Sequence, residues 1–462
     1  MSAVSKRVSN KAGNKNVQAH TQTNSIVHPR YGCMIGAAYS VAAITRGVPI
    51  VHCGPGCIDK QYFILCSDNG NQGVGYMGGG AIPSTNIGEN DVVFGGAPKL
   101  ERLIDASLKI MDGDIYVAFS GCSSALVGDD VESITRPYQN SGLPLVYVDA
   151  PGFKGNNLIG HELVVNAIID QFVGPYKGRK KKGLVNLWTE VPYFNTNWRG
   201  DLIELKRILE GVGFTVNVLF GIESGGVSEW KSIPKASFNI LLSPWVGMDI
   251  VRHLEEKYGQ PWVHFPSIPI GEESTSAFLR EVVEFAGNDK EKAEKFIANE
   301  AKQYYYFLEH FADFFSEYWF GLPSRFAVVS DSAYNIAFSI FLADQLGLIP
   351  VKHIITDNPP DIYRDKIQEL YKHLSEGISS EVEFIEDGYL VEQSLKAADF
   401  GSGAPLILGT SWERNIAREL GAIFLEVSTP AMEEIVINRS YIGYRGALSL
   451  IERIYTPTVN VF

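Results

Sequence analysis

Cys33, Cys57 and Cys122 are the residues of this chain best suited to chemistry, and no cysteine follows them. Each stands beside glycine, in Tyr31-Gly32-Cys33, Gly54-Pro55-Gly56-Cys57 and Ser120-Gly121-Cys122-Ser123. A thiolate that binds iron needs a backbone able to approach an inorganic cluster closely, and glycine allows both that approach and the dihedrals it requires. Three thiolates are one short of the usual four ligands of a single cluster. The remaining ligands must then come from another chain, which suggests a subunit of a complex. The intervals between the cysteines are too long for a zinc ribbon or a ferredoxin-type knot. Spacing alone also admits three buried structural thiols, because free cysteine packs as a small hydrophobe.

The elements around these residues repeat one pattern: strand, loop, helix. Tyr39 to Thr45 reads as a short amphipathic helix leading into the strand Pro49–His52, which ends at the Gly54–Cys57 turn with a helix from about Ile58. Asp114–Phe119 is an apolar strand ending at Gly121-Cys122, and Leu143–Val148 is another, ending at Asp149-Ala150-Pro151-Gly152. In each of these segments the chemistry-bearing residue falls just past the carboxyl end of the strand, where open α/β sheets place their sites. The basic run Lys177–Gly183 reads as a solvated linker. A second α/β pattern follows, with strands Leu184–Trp188, Phe214–Leu219 and Asn239–Leu242 around a helix Asp201–Leu209. Helical stretches Ser274–Phe285 and Lys290–Trp319 come next. A third α/β unit has strands Phe326–Ser330, Val351–Thr356, Val382–Ile385, Leu406–Leu408 and Ile423–Val427. The periodicity predicts several doubly wound α/β domains with parallel sheets.

At 462 residues the chain is too long for one core. Its hydrophobic content of 45% and charged content of 20% are those of an ordinary globular protein. A formal charge of −13 argues against nucleic acid as a partner. No apolar run reaches the ~18 residues that cross a bilayer, so no membrane partner is expected. Five cysteines suit a reducing cytoplasm better than a disulfide framework, and the expected location is cytoplasmic. Residues 1–26 form a polar arm, flexible or laid over a partner. The remaining boundaries fall at 27–182 for a cluster-binding domain, 183–322 for a second domain with a helical insertion, and 323–462 for a third domain with the carboxyl-terminal tail.

Other motifs carry less. Gly73-Val74-Gly75-Tyr76-Met77-Gly78 matches a dinucleotide fingerprint in letters, but polar Ser67–Gln72 precedes it where a strand is required. No phosphate loop ending in Gly-Lys-Ser/Thr occurs, so any ATP used is hydrolysed by another protein. Gly409-Thr410-Ser411-Trp412-Glu413-Arg414 follows a strand and opens a helix, which suits either an anion at the helix start or a plain N-cap. His52 and His161 lie near the cysteine loops and read as packing or hydrogen-bonding residues. Cys53 and Cys66 read as buried extra thiols.

Four segments resemble the nitrogenase component 1 superfamily in order and spacing: His28-Pro29-Arg30-Tyr31-Gly32-Cys33, Val51-His52-Cys53-Gly54-Pro55-Gly56-Cys57, Val92-Val93-Phe94-Gly95-Gly96, and Gly121-Cys122 followed by Val127-Gly128-Asp129-Asp130. The resemblance runs from about residue 28 to the end and implies three Rossmann-like doubly wound domains. It also implies that Cys33, Cys57 and Cys122 bind an interfacial iron–sulfur cluster, of the P-cluster 8Fe-7S type or a 4Fe-4S cluster. The family shares that cluster with an α-like subunit in an α2β2 heterotetramer and receives electrons from a transient ATP-dependent iron protein. The chain lacks the later cysteine that anchors the catalytic cofactor in α-type subunits, and Asn438–Leu448 resembles the β-type carboxyl-terminal region. The resemblance therefore implies a β-like electron-relay subunit of an oxidoreductase, with the substrate site mainly on the partner and no catalytic residue here. β-type chains carry a serine in a Thr-Pro-Ser-Phe turn that ligates the oxidised cluster; this chain has Ala150-Pro151-Gly152-Phe153. That departure, with Cys53 and the glycine-rich 70–80 loop, suits a nitrogenase-like reductase such as a methylthio-alkane reductase as well as a dinitrogen-reducing enzyme. The alternatives are a scaffold subunit for cofactor assembly and a cysteine-bearing binding module with no cluster. The donor-docking surface is expected near the helix after Cys57 and at Asp129 and Asp130, which serve equally well as a helix cap.

Overall fold

Three all-parallel sheets build the chain, in a computed structural model that describes residues 30–68, 70, 80–189, 191–318 and 323–459. The polar arm 1–26, the pair His28-Pro29 and the glycine fingerprint at 73–78 lie outside the described residues. The first sheet has the order β1-β2-β3, with β1 at Gly47–His52, β2 at Ile115–Ser120 and β3 at Leu145–Asp149. Its helices include α1 (Gly56–Leu65), α2 (Glu89–Phe94), α3 (Cys122–Val127) and α4 (Asn157–Ile168). The second sheet is β5-β4-β6-β7, from β4 (Lys181–Trp188), β5 (Thr215–Asn217), β6 (Ala236–Leu242) and β7 (Trp262–Phe265). Helices Gly271–Ala286 and Lys290–Tyr318 then lead to the third sheet, β10-β9-β8-β11-β12. Its strands are β8 (Arg325–Ser330), β9 (Ile349–Ile355), β10 (Val382–Phe384), β11 (Leu406–Gly409) and β12 (Ile423–Glu426).

The strands are apolar on both faces because helices cover both faces. In β2, Val117 and Phe119 enter the large core that runs through all three units, while Tyr116 and Ala118 enter a separate cluster with Val48, Ile50, Leu100 and Ile104. In β8, Val328 faces the large core and Ala327 and Val329 face a second cluster with Ile354 and Ile407. This two-sided burial is the doubly wound α/β arrangement expected from the apolar runs.

Several local expectations change. The segment before β1 is a 3₁₀ turn at Met34–Ala37 followed by a helix at Ala38–Ala42, and every residue in both is buried. It is therefore a core element, not an amphipathic one. Strand β4 begins at Lys181, inside the basic run read as a linker, with Lys181 and Lys182 still exposed to water. Strand β7 and the closing helix Gly443–Val459 have no counterpart in the sequence reading, and Trp319 lies outside the described residues. Among the described residues no helix is long and apolar enough to cross a membrane.

Candidate metal centre

The first sheet sets three loops side by side. His52, Ser120 and Asp149 end β1, β2 and β3 in register, and the chain leaves each into Cys53–Cys57, Gly121-Cys122 and Ala150–Gly152 respectively. Cys57 falls in the first turn of α1 and Cys122 opens α3. Cys33 comes from the amino-terminal side, paired with Asn156 in an isolated antiparallel bridge that Met34 N–H to Gly155 O (3.0 Å) and Asn157 N–H to Gly32 O (3.0 Å) extend. The loop after β3 thus carries Cys33 to the other two cysteines.

Gly152 marks the point of convergence. Its N–H donates to Cys122 Sγ at 3.1 Å. A β-carbon at this residue would lie 3.0 Å from Cys33 Sγ and 3.3 Å from Cys122 Sγ, so glycine keeps the space between the two sulfurs open. Gly121 serves similarly behind the site, where a β-carbon would come within 2.6 Å of the Cys53 β-carbon. Ser124 fastens α3 to β1, donating through Oγ to His52 O at 2.7 Å and accepting from Gly121 N–H at 2.9 Å. Cys33 is exposed, while Cys57 and Cys122 are half-buried.

Cys53, expected only as a buried thiol, is fully buried yet touches the site. Its thiol donates to Gly54 O at 3.3 Å, and its side chain beside the Cys57 sulfur holds Cys57 down at about 6 and, with burial, pushes Cys53 itself up. Gln61, one helical turn beyond Cys57, donates through Nε2 to Cys33 Sγ at 3.5 Å. Sequence reasoning overlooked Gln61, although its position on the same helix face as Cys57 is a readable signal. Cys66 is half-buried at the end of α1.

The two histidines serve packing and hydrogen bonding. His52 bonds Thr85 Oγ1 through Nδ1 and Asp129 through Nε2, each at 2.9 Å, and burial lowers its proton affinity. His161 bonds Ser40 Oγ at 2.9 Å and is held neutral by burial, down to about 4. The expected acidic pair divides. Asp130 caps the helix Val131–Asn140 by accepting from Ser133 N–H at 3.0 Å. Asp129 turns inward to His52 and the Gly96 N–H, with its side chain 6% exposed, so it is not part of an acidic docking face. The Gly409–Arg414 loop also resolves as a cap: Thr410 accepts from Trp412 N–H, and Glu413 reaches back to Thr410 N–H at 2.9 Å. Glu413 also pairs with buried Arg30 at 2.5 Å.

These features fit a metal–sulfur group held from one side. Among the described residues no three His, Cys, Asp or Glu side chains gather tightly enough for a single metal ion. Gly152 instead lies between the Cys33 and Cys122 sulfurs, with one N–H donor aimed at each of them. That spread suits a group of several iron atoms completed from outside the chain. Apolar side chains crowd the elements around it: Phe63 on α1, Val93 and Phe94 on α2, Leu126 on α3 and Phe153 beside Gly152 are all more than half exposed.

Comparisons with known proteins agree with this architecture. The family model described as nitrogenase component 1 type oxidoreductase matches residues 32–458. The nitrogenase molybdenum-iron protein beta chain of Methanococcus maripaludis is 24% identical, with 96% of each chain covered. The nitrogenase iron-molybdenum cofactor biosynthesis protein NifE of the same organism is 28% identical over 75% of this chain and 68% of its own. A solved structure titled nitrogenase Cp1 at pH 6.5 superposes with a TM-score of 0.77 at 20% identity, covering 95% of this chain and 94% of that one.

Proposed function

The chain belongs to the nitrogenase component 1 type oxidoreductase family, and from that premise we propose that it is the electron-relay β-like subunit of a reductase complex. Cys33, Cys57 and Cys122 hold one half of an iron–sulfur cluster of the P-cluster type, and an α-like partner holds the other half. When bound, such a cluster supplies low-potential electron relay. The observation that carries the reading is that Gly152, in the loop after β3, lies between the Cys33 and Cys122 sulfurs, while Cys57 follows β1, the strand paired in register with β2.

This chain's own residues do four things in that role. The cysteines supply thiolate donors, and the Cys53 side chain beside Cys57 lowers the pKa of that thiol. Gly152 and Gln61 point N–H groups at the donor sulfurs. Cys33 stays exposed on the side where a partner closes the site. Phe63, Val93, Phe94, Leu126 and Phe153 offer apolar surface for covering by other chains, the partner and an ATP-hydrolysing electron donor.

A scaffold role in cofactor assembly is the second reading, favoured by the similarity to NifE. The complete set of three cysteines favours the reductase. The position equivalent to the serine of related β chains is Gly152, so no oxygen ligand comes from that turn. The test is anaerobic isolation of the complex, followed by ATP-dependent turnover with an iron protein on dinitrogen and on a methylthio-alkane, side by side. Sustained product formation supports the reductase. Transfer of a cluster to an acceptor without turnover supports the scaffold.

A further inference from the structure

Gln61 is a buried carboxamide in an unusual setting. Its side chain lies on the Cys57 face of α1, and the residue is 2% exposed. The nitrogen donates to Cys33 Sγ at 3.5 Å, and the oxygen, also buried, has no partner. Gly32 and Gly36 make room for it: a β-carbon at Gly32 would lie 2.1 Å from the amide oxygen, and one at Gly36 2.6 Å away. Any other residue at either position would expel the carboxamide from its slot.

Leaving a buried polar atom unpaired is destabilising, and an apolar side chain of similar length would fill the slot without that cost. The feature that distinguishes glutamine from such a side chain here is the N–H at the Cys33 sulfur. An N–H donor draws electron density from a metal-bound thiolate and favours the more negative, reduced state.

We propose that Gln61 acts through Cys33 to raise the reduction potential of the metal–sulfur group bound there. This rests on the reading of Cys33 as a ligand. Gly152 supplies the matching donor to Cys122 from the backbone, so Gln61 is the side-chain member of the pair and the one open to substitution.

The experiment uses the complex isolated anaerobically with its partner, as parent, Q61M and Q61E. Iron is measured first, then the midpoint potential by titration followed by electron paramagnetic resonance. Methionine fills the slot without a donor, and glutamate places a negative charge beside the sulfur. The expected result is parental iron content, a more negative midpoint in Q61M and a still more negative one in Q61E. Parental midpoints in both variants with iron retained would overturn the proposal. If both variants lose iron, the parent decides, labelled with nitrogen-15 at the glutamine side chains: a hyperfine coupling from that nitrogen sustains the proposal and its absence overturns it. An iron-free parent instead refutes the reading of the site itself, and this inference with it.

Discussion

The backbone N–H of Gly152 stands 3.1 Å from Cys122 Sγ, while the space in front of its α-carbon opens toward Cys33 Sγ. One residue thus separates two of the three sulfurs and donates to one of them. Gly152→Val would drive a branched side chain between them. Such overpacking costs about 1–3 kcal/mol, and the displaced sulfurs should leave the complex with most of its iron lost. Iron analysis with a thermal midpoint checks both effects, and full iron retention would show that the gap is not needed.

Arg30 ties the approach to Cys33 into the third sheet. Its guanidinium pairs with Glu413 and with Thr410 Oγ1, each at 2.5 Å, and lies 4.7 Å from the centre of the Trp412 ring. Removing one partner of a buried pair leaves an uncompensated charge and costs about 3–5 kcal/mol. Glu413→Ala should lower stability by that amount in denaturant titration. It should also weaken iron binding at a site that Glu413 never touches. Parental stability would show that Arg30 is held by other contacts.

The His52–Asp129 contact separates two acids that stand side by side in the sequence. Asp129→Ala leaves the Gly96 N–H and His52 without their carboxylate, a loss of about 1–3 kcal/mol. Asp130→Ala removes a helix cap, worth about 0.5–2 kcal/mol. The larger loss of thermal stability should follow the Asp129 substitution, and Asp129→Asn should leave the salt dependence of electron-donor association unchanged. An altered salt response would return Asp129 to the docking surface.

Buried carboxyls make stability fall as pH rises toward neutrality. Burial, with the charge of Asp357 nearby, raises Asp331 to about 7, against about 3.9 for an unfolded aspartate. A group protonated more readily in the folded state stabilises it fully below the unfolded value, and this contribution is lost as pH rises through the folded one. Asp331→Asn keeps a side chain able to cap the helix Ser332–Ile340 and cannot titrate. The stability difference between variant and parent should therefore shift in favour of the variant between about pH 4 and 7. A difference constant across that range would show that folding does not raise the proton affinity of Asp331.

Much of the first sheet was legible because buried parallel strands are continuous apolar runs, such as Ile115–Ser120, bounded by glycine. The candidate cysteines stood out instead through their glycine neighbours, and Cys57 and Cys122 each follow such a strand. What escaped depended on neighbours distant in sequence. Gln61 gains meaning only when Gly32 and Gly36 open a slot for it, and Asp129 only when β1 delivers His52. Strand β7 is only four residues long, Trp262–Phe265, between Pro261 and Pro266, so its apolar signal is brief. The carboxyl-terminal helix begins at Gly443 and contains Pro457 near its end, which masks its periodicity.

The central claim is that Cys33, Cys57 and Cys122 together hold iron shared with a partner chain. Its most direct test is iron and acid-labile sulfide per complex, measured anaerobically for the parent and for three single cysteine-to-alanine variants. The account predicts iron and sulfide in the parent, with loss of both and weakened subunit assembly in each variant. Parental iron content and unchanged electronic spectra in all three variants would contradict it.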